Sequence, residues 1–241
     1  MCTVSWIQSN DEYEVFFNRD ELRTRLRAHP PKLQEWHGVK YIAPVDADAG
    51  GLWIGVNEFG LSAFLLNYYH ARSYSKPGKR YTTRGRLVRD LMDCRTVKEA
   101  ESRLRTRSFS KYRPFTIAVI EPRKPVLTLQ WDGHSAIDID RDSIRPLSSS
   151  SFEAEKVIGH RIELFRNLEE HTASLDSEAI IDYQLTPDDE RGAYGVCMRR
   201  SDAQTVSFSH IKVGKKNIEF RYIPEEVHKR VFLPTLTLDR I

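Results

Sequence analysis

Two alternating runs near the start of the chain, Thr3-Val4-Ser5-Trp6-Ile7 and Tyr13-Glu14-Val15-Phe16-Phe17, are rich in β-branched and aromatic residues and flank the turn-forming stretch Ser9-Asn10-Asp11-Glu12. This spacing predicts a β-hairpin. With Asn10 and Asp11 at the centre of the turn, Trp6 faces Val15, Val4 faces Phe17 and Cys2 faces Arg19. Side chains on one face of a strand recur at every second residue, so Cys2, Val4, Trp6, Val15, Phe17 and Arg19 share a largely apolar surface. A slip of one residue would separate the cysteine from the arginine. An arginine on such a surface is costly unless paired, and the nearby anions are a Cys2 thiolate and the Asp20 carboxylate.

The pairing matters because of the chemistry available at position two. If Met1 is removed, Cys2 becomes the first residue, and its thiol and a free α-amine stand on adjacent atoms of one amino acid. Free thiols titrate at roughly 8.5 and α-amines at roughly 7.7 to 8.0, so one residue supplies both nucleophile and base near neutral pH. That is the logic of an N-terminal nucleophile. Taken alone, a cysteine at position two is more often incidental, and an Arg-Asp pair after a strand is usually a surface ion pair or a helix start.

Longer motifs shift that balance. Met1-Cys2-Thr3 together with Phe17-Asn18-Arg19-Asp20-Glu21 resembles the NRDE family, the transport and Golgi organisation family, named for that tetrapeptide. The likeness continues through His29-Pro30-Pro31-Lys32-Leu33, Gly50-Gly51-Leu52-Trp53-Ile54-Gly55-Val56-Asn57, Cys197-Met198-Arg199-Arg200 and Ala203-Gln204-Thr205-Val206-Ser207. The segment from Gly55 to Asn67 is also similar to one in cysteine-type choloylglycine hydrolases and penicillin V acylases, where the closing asparagine helps form an oxyanion hole.

By this resemblance Cys2 attacks an amide or related acyl carbon, Arg19 holds the thiolate, Asp20 orients the terminal amine and Asn67 supports the oxyanion. Asn18, Trp53 and Asn57 are the candidate binding residues. From the residues alone, Leu52 to Val56 and Leu61 to Leu66 are two strands joined by the turn Asn57-Glu58-Phe59-Gly60. Asn57 therefore ranks below Asn67. Asn67 then falls opposite Gly50-Gly51, which suits a donor aimed at a developing oxyanion and equally suits a tight chain crossing. Where many family members carry an asparagine after a Leu-Ser pair, this chain reads Leu147-Ser148-Ser149-Ser150-Ser151. The alternative the resemblance allows is a haem or lipid binding or trafficking protein on the same scaffold, without catalysis.

Length and composition set the frame. A chain of 241 residues with 40% hydrophobic residues is ample for one core, and residues 1–241 are expected to form a single domain. No apolar run approaches the roughly 18 residues of a membrane helix, and no secretory signal is visible, so a soluble cytoplasmic protein without an integral membrane segment is expected. Cys2, Cys94 and Cys197 are too few for a disulfide framework and point to a reducing compartment. The eight histidines show no ligand spacing and there is no phosphate loop, so neither metal nor cofactor is expected. Basic residues cluster at Lys76, Lys79, Arg80, Arg84, Arg86 and Arg89 and again from Arg103 to Arg113, against a net charge of +3. Interleaved Asp90, Asp93, Glu99 and Glu101 argue for solvated helix faces or the border of an entrance for an anionic substrate, rather than a nucleic-acid surface. A small molecule is the expected partner.

The remaining pattern is α+β. Helices are expected from Thr83 to Met92, from a capping box at Thr96 to Leu104, across Val157 to Leu168 despite Gly159, and from Asp176 to Tyr183. Strands are expected at Phe115–Ile120, Val126–Trp131, Ile137–Ile139, Ala193–Met198, Thr205–Lys212 and Ile218–Tyr222. The resemblance sharpens this to a four-layer αββα sandwich of two antiparallel sheets flanked by helices.

Overall fold

The opening hairpin forms in the expected register. Strand β1 (Cys2–Gln8) runs antiparallel to β2 (Tyr13–Leu22), and Cys2, Val4 and Trp6 stand opposite Arg19, Phe17 and Val15. The computed structural model of the chain describes residues 2–71, 78, 80–138, 145–172, 175–188 and 190–241. Lys76, Lys79 and Ile139 lie outside the described residues. Val4, Val15 and Phe17 are fully buried, and each such side chain is worth about 1.5–3 kcal/mol when removed from water. A one-residue slip would turn all three outward, so burial fixes the register that sets Cys2 against Arg19.

Six strands form the first sheet, in the order β10 (Leu147–Ser149), β1, β2, β11 (Ala203–Val213), β12 (Asn217–Ile223) and β13 (Leu236–Asp239). Strand β2, from the chain start, thus pairs with β11, near its end. The second sheet runs β3 (His29–Trp36), β4 (Val39–Val45), β5 (Ile54–Asn57), β6 (Ser62–Asn67), β7 (Phe115–Ile120), β8 (Leu127–Trp131) and β9 (Ala136–Asp138). Every pairing in both is antiparallel.

Three apolar layers stack these sheets with the helices. Val4, Trp6 and Phe17 meet Ile54, Val56 and Phe64 between the sheets. On the far side of the second sheet, Leu65 and Ile117 pack against Leu87 of α1 (Gly85–Arg89) and Leu104 of α2 (Val97–Arg105). On the far side of the first, Phe16 and Phe208 pack against Phe165 of α3 (Ala154–His171) and Ile180 of α4 (Ser177–Leu185). The arrangement is the α+β, four-layer sandwich expected.

Local chemistry explains the starts of α2 and α4. Thr96 accepts from the Glu99 backbone N–H at 3.2 Å while the Glu99 carboxylate accepts from Arg95 N–H at 2.7 Å, closing the cap of α2. Asp176 caps α4 through Ala179 N–H at 2.8 Å. The helix expected from Thr83 is shorter than its pattern. It begins after Arg84 and ends at Arg89, with no side-chain cap, because the chain is pressed against a neighbouring loop: a Cβ on Gly85 would lie 2.6 Å from Leu52 N.

Ala193–Met198 is likewise not a strand. Its carbonyls are claimed from elsewhere, Ala193 and Gly195 by Arg161 and Val196 by Asn18, so they do not enter a ladder. Strands β3, β4, β10 and β13 were not anticipated. β3 is an exposed edge strand with two prolines, tolerated there because an edge needs only one side of its hydrogen-bonding groups.

A polar cluster ties α4 to the first sheet. Ser177 Oγ donates to Glu14 Oε2 at 2.7 Å, and His210 Nε2 lies 2.7 Å from the same oxygen. Lys212 Nζ stands 3.5 Å from the other carboxylate oxygen. Burial alone would raise the Glu14 pKa, but hydrogen bonds from His210 and Ser177 and the charges of His210 and Lys212 outweigh it and hold the group at about 2. A depressed carboxylate contributes stability that is full above its unfolded value of about 4.3 and is lost as pH falls through about 2. Unfolding by urea between pH 2 and 6 should therefore show wild type ahead of Glu14→Gln by roughly 2–3 kcal/mol at pH 6. That gap should close toward pH 2; a constant gap would show that Glu14 ionisation contributes nothing.

Candidate functional site

Cys2 sits between two strands that hold it by its backbone. Its N–H donates to Ser149 Oγ at 3.0 Å, and its carbonyl accepts from Ser148 Oγ at 3.3 Å. The serine run is therefore no loop: Leu147–Ser149 is a short strand, and Ser149 stands directly across from Cys2. The thiol is half-buried beside the intersheet core. Burial pushes its pKa up to about 11, the charges of Asp20 and Glu21 push the same way, and the backbone N–H of Asp20 pulls against them.

Arg19 is 3% exposed and finds its anion elsewhere than the sequence suggested. Its Nη2 lies 2.5 Å from Asp46 Oδ2 and 3.3 Å from Glu21 Oε1, and its guanidinium lies 4.4 Å from the centre of the Trp53 ring. Neither the Cys2 thiol nor the Asp20 carboxylate takes this place. Asp46, just beyond β4, is fixed by Arg25 and by the Ala49 N–H. Burial would raise its pKa, yet the Arg25 and Ala49 hydrogen bonds and the two arginine charges hold it below the usual carboxylate range. Trp53 is thus the shelf on which Arg19 rests.

Asp20 turns to the helix side of β2. Its Oδ1 accepts from Thr205 Oγ1 at 2.7 Å, and its Oδ2 lies 3.6 Å from Arg161 Nη1. Arg161, on α3, has no exposed surface. It donates to Thr3 Oγ1 at 2.7 Å, Ser148 Oγ at 3.1 Å, Ala193 O at 3.1 Å and Gly195 O at 2.7 Å. One side chain therefore joins β1, β2, β10 and the 193–195 segment around Cys2. On α3 Arg161 shares its buried face with Val157 and Phe165, and an arginine inside such an apolar stripe is the sequence signal for this role.

Two clefts flank Cys2. The larger, of about 470 Å³, is lined by residues that include Arg19, Asp20, Trp53, Asn67 and Arg84; the smaller, of about 170 Å³, is lined in part by Leu147, Ser149, Asn67 and Tyr69. Cys2 lines neither cleft, but its β2 partner lines one and its β10 partner the other. Asn67 and Tyr69 line both, and Asn67 Nδ2 donates to Tyr69 Oη at 2.7 Å.

On its β7 side Asn67 pairs with Phe115, while on its β5 side the named ladder ends at Ile54–Phe64, three residues short of Gly51. Gly51 makes a tight crossing with the start of α1: a Cβ there would lie 2.8 Å from Gly85 Cα. Asn57 and Asn18 are corrections to the binding set. Asn57 is buried with both amide ends in use, donating to Met92 O and Cys94 O and accepting from Phe59 and Leu61 N–H, so it builds the β5–β6 turn. Asn18 is buried on the helix side, donating to Gln184 O and Val196 O. Among the described residues, no three histidine, cysteine or acidic side chains stand close enough to hold a metal ion, and no helix is long and apolar enough to cross a membrane.

The model of the Transport and Golgi organisation 2 family matches residues 1–206. No curated protein matches the sequence significantly. Among solved structures, the chain is similar to a Caenorhabditis elegans orthologue of N-acylethanolamine-hydrolysing acid amidase, with a TM-score of 0.58, 15% identity, and coverage of 88% of this chain and 92% of that one. It is also similar to penicillin V acylase from Agrobacterium tumefaciens, with a TM-score of 0.54, 12% identity, and coverage of 93% and 83%. The C2A mutant of conjugated bile acid hydrolase from Clostridium perfringens gives a TM-score of 0.55 at 13% identity, covering 99% and 92%. At these identities the likeness establishes the N-terminal-nucleophile hydrolase fold.

Proposed function

Starting from the fact that this chain belongs to the Transport and Golgi organisation 2 family and has the fold of N-terminal-nucleophile hydrolases, we propose that it is an N-terminal-cysteine hydrolase of a linear amide or related acyl bond. The observation that carries the reading is the hydrogen bond from Cys2 N to Ser149 Oγ at 3.0 Å. Once Met1 is removed, that nitrogen is the α-amine, and Ser149 holds it beside the thiol. Burial disfavours the thiolate, so the sulfur gains from a base within reach, which the neutral amine supplies.

In the proposed reaction Cys2 Sγ bonds to the acyl carbon as its proton passes to the α-amine. Asn67 Nδ2 stabilises the oxyanion. The tetrahedral intermediate collapses by breaking the carbon–nitrogen bond, and the ammonium returns the proton to the leaving nitrogen. Water, deprotonated by the amine, then attacks the thioester and frees the acid, restoring the thiol. Arg19 acts by holding the wall of the cleft, through Asp46 and Trp53, rather than as the direct partner of the sulfur.

One observation favours the second reading, a binding or trafficking protein for a small molecule: a thiol at about 11 that does not line the cleft is poorly exposed for attack. Intact-mass analysis of protein from its own cells separates the two. Hydrolysis requires a chain lacking Met1, which on treatment with p-nitrophenyl acetate gains one acetyl group on the peptide that begins with Cys2. Cys94 and Cys197 are buried and serve as internal controls. A retained Met1, or acetylation spread evenly over the three cysteines, would favour the carrier.

A further inference from the structure

The carboxylates lining the larger cleft already have arginines. Glu21 and Asp46 face Arg19 and Arg25, Asp202 faces Arg200, and Asp20 faces Arg161. Arg84 lines the same cleft, half-buried, and among the described residues no carboxylate lies within ion-pair distance of it. Its Nη1 donates to Pro114 O at 2.8 Å, and among the described residues no other hydrogen bond of its guanidinium is seen. That bond also brings it beside Arg113, the residue before Pro114, which likewise has no carboxylate partner among the described residues.

Arg113 itself is exposed, with its guanidinium 5.4 Å from the centre of the Tyr81 ring, so among the described residues Arg84 is the cation of this cleft that faces no carboxylate. Burial works against the charged form of Arg84, and so does the positive charge of Arg113; Tyr69, Cys2 and Glu21 act in its favour, but the net direction is downward. An anion entering the cleft would find a partly desolvated cation that costs nothing further to expose. The flat fork of a guanidinium fixed at one nitrogen matches a planar carboxylate, while the four carboxylates of the cleft wall disfavour a multiply charged phosphate.

We propose that Arg84 is a carboxylate-recognition site, so that the compound bound in the larger cleft carries a carboxylate on the portion lying against Arg84. The inference rests on the reading of this cleft as the substrate's site, and not on any reaction at Cys2.

The test is calorimetric titration of Cys2→Ala protein with hippurate and with its neutral primary amide. Hippurate should bind about tenfold or more tightly than the amide, and added salt should weaken hippurate alone. Arg84→Gln in the same background should remove the preference of hippurate over its amide, and Arg84→Lys should keep part of it. Equal affinities, a preference that survives Arg84→Gln, or no saturable hippurate binding at tens of millimolar would overturn the proposal. Because the thiol is absent throughout, such a failure leaves acyl transfer at Cys2 untouched, and an inert Cys2 leaves this site untouched.

Discussion

Replacing Arg161 by methionine is expected to lower the unfolding free energy by about 3–5 kcal/mol, the cost of breaking a buried charge pair from one side. Methionine fills most of the same space but donates nothing. It would remove the cation that faces the Asp20 carboxylate, and leave Ala193 O and Gly195 O without the guanidinium that holds them. Urea unfolding at pH 7 measures the loss directly. Asp20→Asn combined with Arg161→Met should cost less than the sum of the single changes, since the double variant no longer buries an unmatched charge. A loss below about 1 kcal/mol in the single variant would mean that Arg161 is incidental to the fold. The expected loss also bears on the site, because the four segments that Arg161 joins are those that place Cys2.

What the sequence made legible was local. The Cys2–Arg19 opposition follows from the alternation of residues 3 to 17 and the centre of one turn, both of which act within about twenty residues of chain. The partners of these residues depend on where distant strands come to rest. Asp46 reaches Arg19 from the end of β4, and Arg161 reaches Thr3 from a helix more than one hundred and fifty residues away. Asn57 was misjudged because a turn residue and a binding residue have the same composition. Its role was decided by the carbonyls of Met92 and Cys94, which come from after α1 and offer no pattern near position 57. Ser149 carried a faint signal, a polar run where the family pattern has an asparagine, yet the run reads equally as a loop until β10 is seen to pair with β1. The missing strand at 193–198 has the same cause as the Arg161 network: carbonyls that would have built a ladder instead receive a buried guanidinium.

Asn67→Ala is expected to slow acylation of Cys2 by roughly two to three powers of ten while leaving ligand affinity nearly unchanged. The asymmetry is the informative part. An amide that meets the oxygen only as negative charge develops contributes to the transition state and little to the bound ground state, so the rate falls and affinity does not. Two features support this reading of Asn67: it ends β6 at the meeting of the two clefts, and Tyr69 Oη accepts one of its N–H groups at 2.7 Å. Burst kinetics with p-nitrophenyl acetate on protein lacking Met1 give the acylation rate, and calorimetry with hippurate on the Cys2→Ala background gives affinity. Asn67→Asp should be slower still, because a carboxylate repels the developing oxyanion. Tyr69→Phe should lower the rate only several-fold, since it frees the amide without removing its donors. An Asn67→Ala rate within threefold of wild type would return this residue to a purely structural role, and equal losses in rate and affinity would mean that it positions the ligand without assisting the chemistry.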